Sequence, residues 1–284
     1  MRIFLDTRDL INLLEGRGPC SVDYFRQWLR NGGHKLVLNL TVIFEISAPL
    51  SDPSSKTVVT RLLNDLERLP HVFINDAQIQ PKEVESAIHL YSEGREYVPI
   101  VPPYVDRLDK AIPISGPPHT DIYINFGLAE TVYTIWWVDR NAFRWPEEQV
   151  KRLLSGIALD RSMPNAPTVA QHLREKLRRD LKLYNIPHPQ SGVDDLADWI
   201  YETPTRCPAV RIGYEVYHQI RRNVGDQPAA SDFGDFAHVQ CLPYVDLMTL
   251  DRRIADYVRR ATQGWKDDPA GKVMHGLDSI MREL

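Results

Sequence analysis

Short apolar runs alternate along this chain with stretches in which apolar residues recur at helical spacing. Arg2 to Leu5 is an apolar run that stops at Asp6, and Leu10, Ile11, Leu13 and Leu14 then follow a helical period until Gly16 and Gly18 break it. That pattern predicts strand, turn, helix. Val22 to Leu29 predicts a second helix, the Asn31-Gly32-Gly33 stop ends it, and Lys35 to Asn39 reads as a buried strand. Thr41 to Leu50 predicts a further helix with Glu45 near its start and Pro49 near an interruption, Thr57 to Leu69 an amphipathic helix, and His71 to Ile74 another strand. Strands alternating with helices predict an α/β fold on a mainly parallel sheet, whose ligands gather beyond the carboxyl ends of the strands.

From Pro81 to Asn223 the pattern turns mainly helical, interrupted by proline-rich segments such as VPPYVDRL and ISGPPHTD. This predicts residues 81–223 as a helical insertion or enlarged subdomain, with residues 1–80 and 224–284 forming the α/β domain. Ile122 to Val138 is the most apolar stretch, but it contains Asn125 and Glu130 and falls short of the roughly 20 residues needed to cross a bilayer, so it reads as a buried helix. Trp136, Trp137, Trp145 and Trp199 are expected to pack rather than to stack on bases. Arg174, Arg178 and Lys182 recur every fourth residue and share one helix face, either a solvated face or a phosphate contact. After Gly225-Asp226-Gln227-Pro228, Ser231 or Asp232 can cap a helix carrying Asp235 and His238. Val245 to Leu250 then predicts a strand that ends at Asp251, and Arg252 and Arg253 open a final helical section.

Composition narrows the picture a little. A chain of 284 residues with a formal net charge of −4 has no global attraction for nucleic acid, so any such contact must come from local basic patches. Cys20, Cys207 and Cys241 show neither CxxC nor His/Cys spacing, which argues against a zinc module or a disulfide framework. The start MRIFLDTRDL carries charge too early for a signal peptide, so a cytoplasmic location without a membrane partner is expected.

The chemistry lies in acids placed at the edges of elements. Asp6 and Asp251 each follow an apolar strand, Asp235 falls in the first turn of a helix, and Glu45 is set among Val42, Ile43, Phe44 and Ile46. Burying a carboxylate in such company is costly unless a cation or hydrogen bonds compensate it. Converging carboxylates raise one another's pKa, and hard cations such as Mg²⁺ or Mn²⁺ are their natural ligands. Asp232 alone reads better as a cap, although the choice between Asp232 and Asp235 as the third acid stays open. His238 is three residues beyond Asp235 on the same face, as a hydrogen-bonded structural residue or a proton carrier, and Asp246 is placed to cap the strand entrance.

These segments resemble the PIN-domain nuclease family. FLDTRDLINLL is similar to that family's strand, Asp-Thr and helix, with Arg8 where Asn is frequent; NLTVIFEI resembles the second acidic motif, Asp235 the third acid, and Met248-Thr249-Leu250-Asp251 the terminal strand with its Thr-x-Asp ending. The likeness covers roughly the first 75 residues and the last 60, and the middle has no counterpart in small members of the family. It implies a three-layer α/β/α fold and a metal-dependent endonuclease. Asp6, Glu45, Asp235 and Asp251 would then hold Mg²⁺ or Mn²⁺, and Thr249 would orient a ligand or water. RNA is the favoured substrate, in a toxin-like, RNA-processing or defence role. DNA cleavage and a catalytically silent binding module are the alternatives. Basic residues Arg174, Arg178, Lys182, Arg252 and Arg253 are candidates for phosphate contact. An inhibitory or defence-system protein partner and a homodimer are compatible with the resemblance.

Overall fold

The computed structural model describes residues 1–95, 104–111, 126–139, 147–183 and 192–283. Its strands are β1 (Arg2–Phe4), β2 (Lys35–Asn39), β3 (His71–Ile74), β4 (Tyr104–Val105), β5 (Leu247–Thr249) and β6 (Val273–Met274). The helices of the first part are α1 (Thr7–Leu14), α2 (Val22–Asn31), α3 (Leu40–Ser47), α4 (Lys56–Glu67), α5 (Asp76–Ser92), α6 (Leu108–Ala111) and α7 (Leu128–Val138). Those of the second are α8 (Glu147–Ser162), α9 (Val169–Leu183), α10 (Val193–Glu202), α11 (Pro208–Arg222), α12 (Asp232–Cys241), α13 (Arg252–Ala261) and α14 (Leu277–Glu283).

The strands form one six-stranded sheet in the order β4-β3-β2-β1-β5-β6. All neighbours run parallel except β4, which pairs antiparallel with β3 through Phe73–Val105 and Ile74–Tyr104. β1 is central, with Ile3 in register with Leu36 on one side and Leu247 on the other. It is buried on both faces, and Ile3, Phe4, Leu36, Val37 and Met248 are fully shielded, which is why these strands read as continuous apolar runs rather than alternating ones. The chain leaves β1 toward β2 and leaves β5 toward β6, in opposite directions across the sheet. A crevice forms where such connections diverge, at the carboxyl ends of the strands.

The helical middle is woven into this α/β unit more closely than its sequence suggests. The expected boundary at Pro81 falls inside α5, which runs through that proline. β4 adds a strand to the sheet from within the segment expected to be helical. Ala209, Ile212, Val216 and Ile220 of α11 join the same core as β1 and β5. A second, smaller core forms among α5, α9, α10 and α11 around Val84, Leu173, Leu177, Leu196 and Ile200.

Two expectations about aromatic and apolar residues change. Val138 and Trp137 at the end of α7 are exposed, at 75% and 74%, so that end of the helix is not buried and Trp137 does not pack. Trp136 packs against the main core and Trp199 against the second, whereas Trp145 lies outside the described residues. Among the described residues no helix is long and apolar enough to cross a membrane.

Candidate functional site

The acids gather at the diverging carboxyl ends of β1 and β5. Asp6 occupies the N-cap position of α1 without using its side chain as a cap, so both carboxylate oxygens are left for other partners. Thr249, fully buried at the end of β5, accepts a 2.8 Å hydrogen bond from the Asp6 backbone N–H and ties the two strand ends together. Asp251 caps α13, its Oδ1 accepting from the Ile254 N–H at 2.7 Å. Glu45 comes from α3, whose start is fixed by Asn39 Oδ1 accepting from the Val42 N–H at 2.8 Å, and the Thr7 hydroxyl donates to Glu45 Oε2. Asp235 projects from the first turn of α12.

Asp6 and Asp235 each feel the charges of the other acids of the group. Burial, followed by repulsion from Asp251, Asp6, Asp232 and Glu45, pushes the Asp235 carboxyl up to about 8. Burial and the charges of Asp9, Glu45 and Asp251 raise Asp6 to about 6, against a lowering influence from Arg8. Burial also raises Glu45, partly offset by the Thr7 hydrogen bond. Each shift has the sign expected for anions crowded into a partly dry crevice.

Asp232 and Asp235 have different surroundings. Asp232 is fully buried and held by the Arg253 guanidinium through two bonds of 2.7 and 2.9 Å, and its Oδ2 also accepts from the Ala229 N–H. Its charge is neutralised and its oxygens are occupied. The expected cap is absent as well, since Ser231 takes the N-cap position of α12 and makes no side-chain cap bond. Asp235 is left to face Asp6 and Asp251.

Other anticipated residues lie apart from the cluster. Asp246 sits at the amino end of β5, where its Oδ2 accepts from the Arg2 N–H at 2.7 Å, and so fastens β5 to β1 at the end of the strands opposite the acids. Arg253 is engaged by Asp232 and by Asp226 at 2.8 Å, which leaves it a structural ion pair rather than a phosphate contact. Arg174 and Arg178 bond Asp198 and Asp194 of α10 at 2.5 and 2.6 Å; Lys182 is exposed on the same helix. Arg252 is exposed beside Asp251, and Arg8, 63% exposed, stands beside Asp6. Thr7 was missed in the sequence as a partner of Glu45, although it is the second residue of the Asp-Thr pair.

His238 packs against the cluster from α12. Its side chain is 2% exposed, Nδ1 lies 3.7 Å from Asp6 Oδ1, and Nε2 lies 3.9 Å from Glu45 Oε2. Burial pulls its imidazole down to about 3, so the ring is neutral.

The donor chemistry fits a hard divalent cation, because a positive ion offsets both the burial and the mutual repulsion that raise Asp6 and Asp235. Among the described residues, no three His, Cys, Asp or Glu side chains already converge tightly enough to enclose an ion. Direct ligation would therefore involve few protein atoms, with water completing the shell, as magnesium sites commonly do. No protein-family model, curated protein or solved structure matches the chain.

Proposed function

We propose that this chain is a divalent-metal-dependent endonuclease of the PIN-like type, acting on RNA. One observation carries the reading: Asp6, Glu45, Asp235 and Asp251, drawn from four separate elements, are coupled electrostatically at the crevice where the connections from β1 and β5 diverge. Structural acids are normally satisfied by cations or donors of the chain itself. Here Glu45 and Asp251 each accept one hydrogen bond, from Thr7 and Ile254, while Asp6 and Asp235 are raised by burial and by neighbouring acids, which makes sense for a site that receives positive charge from outside.

A bound Mg²⁺ or Mn²⁺ would supply charge neutralisation at the scissile phosphate and lower the pKa of a water it holds. Asp6, Asp235 and Glu45 would hold it directly or through water, and Asp251 would do so with the oxygen not used to cap α13. Thr249 keeps the Asp6 backbone in place, and the Thr7 hydroxyl fixes one oxygen of Glu45. Exposed Arg8 and Arg252 stand at the starts of α1 and α13, where the flanking phosphates of a bound strand would pass. Hydrolysis by in-line attack leaves a 5′-phosphate and a 3′-hydroxyl.

The test is cleavage of labelled RNA, single-stranded DNA and branched DNA side by side with Mn²⁺, by wild type and Asp251→Asn. The amide can still accept from Ile254, so the helix start is retained while a charge is removed. Wild type is expected to cut RNA preferentially, and the variant to lose cleavage by at least ~100-fold. Full metal-dependent cleavage by Asp251→Asn would sink the assignment. Preferential cutting of DNA would move the substrate class without moving the site.

A further inference from the structure

His238 is not accounted for by the carboxylate site as usually built. Its ring is shielded from solvent, lies in tilted contact with Phe4 at 5.2 Å between centroids, and has no hydrogen-bond partner among the described residues at either nitrogen. Structural histidines that are buried satisfy at least one ring nitrogen with a carbonyl, hydroxyl or carboxylate, because leaving both unpaired costs about 1–3 kcal/mol for each group. Here both nitrogens face acids of the site and neither bonds to them. Nδ1 stands 3.7 Å from Asp6 Oδ1 and Nε2 stands 3.9 Å from Glu45 Oε2.

Those distances leave room between the ring and the acids for a shared partner. They exceed a hydrogen bond, whose heavy atoms lie at about 2.7–3.2 Å. They are short for one bridging water, since two such bonds at a near-tetrahedral angle set the end atoms ~4.5 Å apart. A shared divalent ion can be accommodated: with bonds of about 2.1 Å to nitrogen and to oxygen, two ligands of the same ion stand ~3.0 to 4.2 Å apart, and 3.9 Å corresponds to a wide N–metal–O angle of ~135°. A neutral imidazole has one N–H and one lone pair. With the proton on Nδ1, nearer Asp6, the Nε2 lone pair is left on the side of Glu45 Oε2, and a small closing movement would give the carboxylate–histidine–metal order that fixes ring and tautomer in metal sites.

We propose that His238 Nε2 is a nitrogen ligand of the cation held at this cluster, sharing it with Glu45 and oriented by Asp6, and that it selects a borderline transition ion such as Mn²⁺, Co²⁺ or Zn²⁺ over Mg²⁺. The inference rests on reading the carboxylates as a cation site and adds a donor of another chemical kind. Magnesium prefers all-oxygen shells, whereas imidazole favours the later first-row ions, so one nitrogen ligand changes the preference among ions more than it changes total charge. Water completes the shell, since no three side chains already enclose the ion among the described residues.

Calorimetric titration of the full chain with Mg²⁺ and Co²⁺, for wild type and His238→Gln, tests this without substrate. Wild type should bind Co²⁺ at least ~10-fold more tightly than Mg²⁺, and the variant should lose ~10–100-fold in Co²⁺ affinity while Mg²⁺ affinity stays within about threefold. Equal losses for both ions, or Co²⁺ affinity unchanged in a folded variant, overturn the proposal while leaving the carboxylate site standing. Failure of the wild type to bind either ion overturns the site itself. Should His238→Gln not fold, the wild type decides alone. With ring-¹⁵N histidine labelling, stoichiometric Zn²⁺ should shift the Nε2 resonance of one buried imidazole among the nine histidines of the chain. The absence of any such shift in Zn²⁺-bound protein refutes the ligand.

Discussion

Replacing Asp235 by Asn should stabilise the metal-free protein, and by an amount that grows as pH rises from about 4 to about 8. Folding raises the Asp235 carboxyl from 3.8 to about 8, through burial first and then through repulsion from Asp251, Asp6, Asp232 and Glu45. A carboxyl that holds its proton more tightly when folded favours the folded state below its unfolded pKa, and that contribution is lost as pH rises through the folded value. The window therefore runs from about pH 4 to about pH 8. At ~1.4 kcal/mol per unit of pKa, the full cost of ionising Asp235 in the fold is on the order of 5 kcal/mol. Proton uptake by neighbouring Asp6 and access of solvent to the crevice reduce this to ~2–4 kcal/mol.

Asn keeps the shape, removes the charge and can donate to the remaining carboxylates. For a chain of this size ~2–4 kcal/mol corresponds to a rise of about 5–10 °C in Tm. The assay is thermal unfolding by circular dichroism in EDTA at pH 4, 6 and 8, with the gain absent at pH 4 and largest at pH 8. Adding Mn²⁺ should then raise the Tm of wild type more than that of the variant, because a ligand stabilises only the state that binds it. A variant that is less stable than wild type at pH 8, or equally shifted at pH 4 and pH 8, would refute the claim that these carboxylates confront one another.

Asp232 should behave in the opposite way: Arg253→Ala strands a fully buried carboxylate, and a loss of ~3–5 kcal/mol in urea unfolding is expected. An unchanged unfolding midpoint would mean that Arg253 is free to serve another partner. Thr249→Val removes the acceptor for the Asp6 N–H and should lower metal affinity or cleavage ~10-fold or more while folding is kept, read by calorimetry and by cleavage rate; equal metal affinity would make Thr249 a packing residue only. Glu83→Ala removes the acceptor of the Ala209 and Val210 N–H groups and of the Tyr244 hydroxyl, and should cost ~3 kcal/mol of stability at pH 8 with metal affinity unchanged. A loss smaller than ~1 kcal/mol would show that those donors find other acceptors.

The sequence made Asp6, Glu45 and Asp251 legible because each interrupts or terminates an apolar run, and their places at the start of α1 just after β1, on α3 and at the start of α13 follow from that local pattern. Lys35–Asn39 and His71–Ile74 appear with the expected bounds for the same reason. Asp232 and Asp235 could not be separated from their own segment. They differ through Arg253, which packs beside one and not the other, and nothing local encodes that pairing. Pro81 read as a boundary because proline removes a helix hydrogen bond, yet α5 continues from Asp76 to Ser92 around it. The two-residue strands β4 and β6 are too short to show a period at all, and only pairing with β3 and β5 defines them.

Burial alone does not mark a functional acid in this chain. Glu83 is more buried than any acid of the cluster, its carboxyl raised to about 7, yet it has no unmet demand: two backbone N–H groups at the start of α11 and the Tyr244 hydroxyl occupy it. Asp232 is equally buried and equally answered, by Arg253. Asp6, Asp235 and His238 are shielded as well, but the groups around them repel them or stop short of bonding distance. A fold tolerates that expense where a ligand returns it. The useful distinction is therefore between buried charge that the chain satisfies itself and buried polarity that it leaves open. By that criterion Asp6, Asp235 and His238 stand apart from Asp232 and Glu83, which belong to the scaffold that holds α12 and α11 in place, while Glu45 and Asp251 fall between, each accepting one hydrogen bond from the chain.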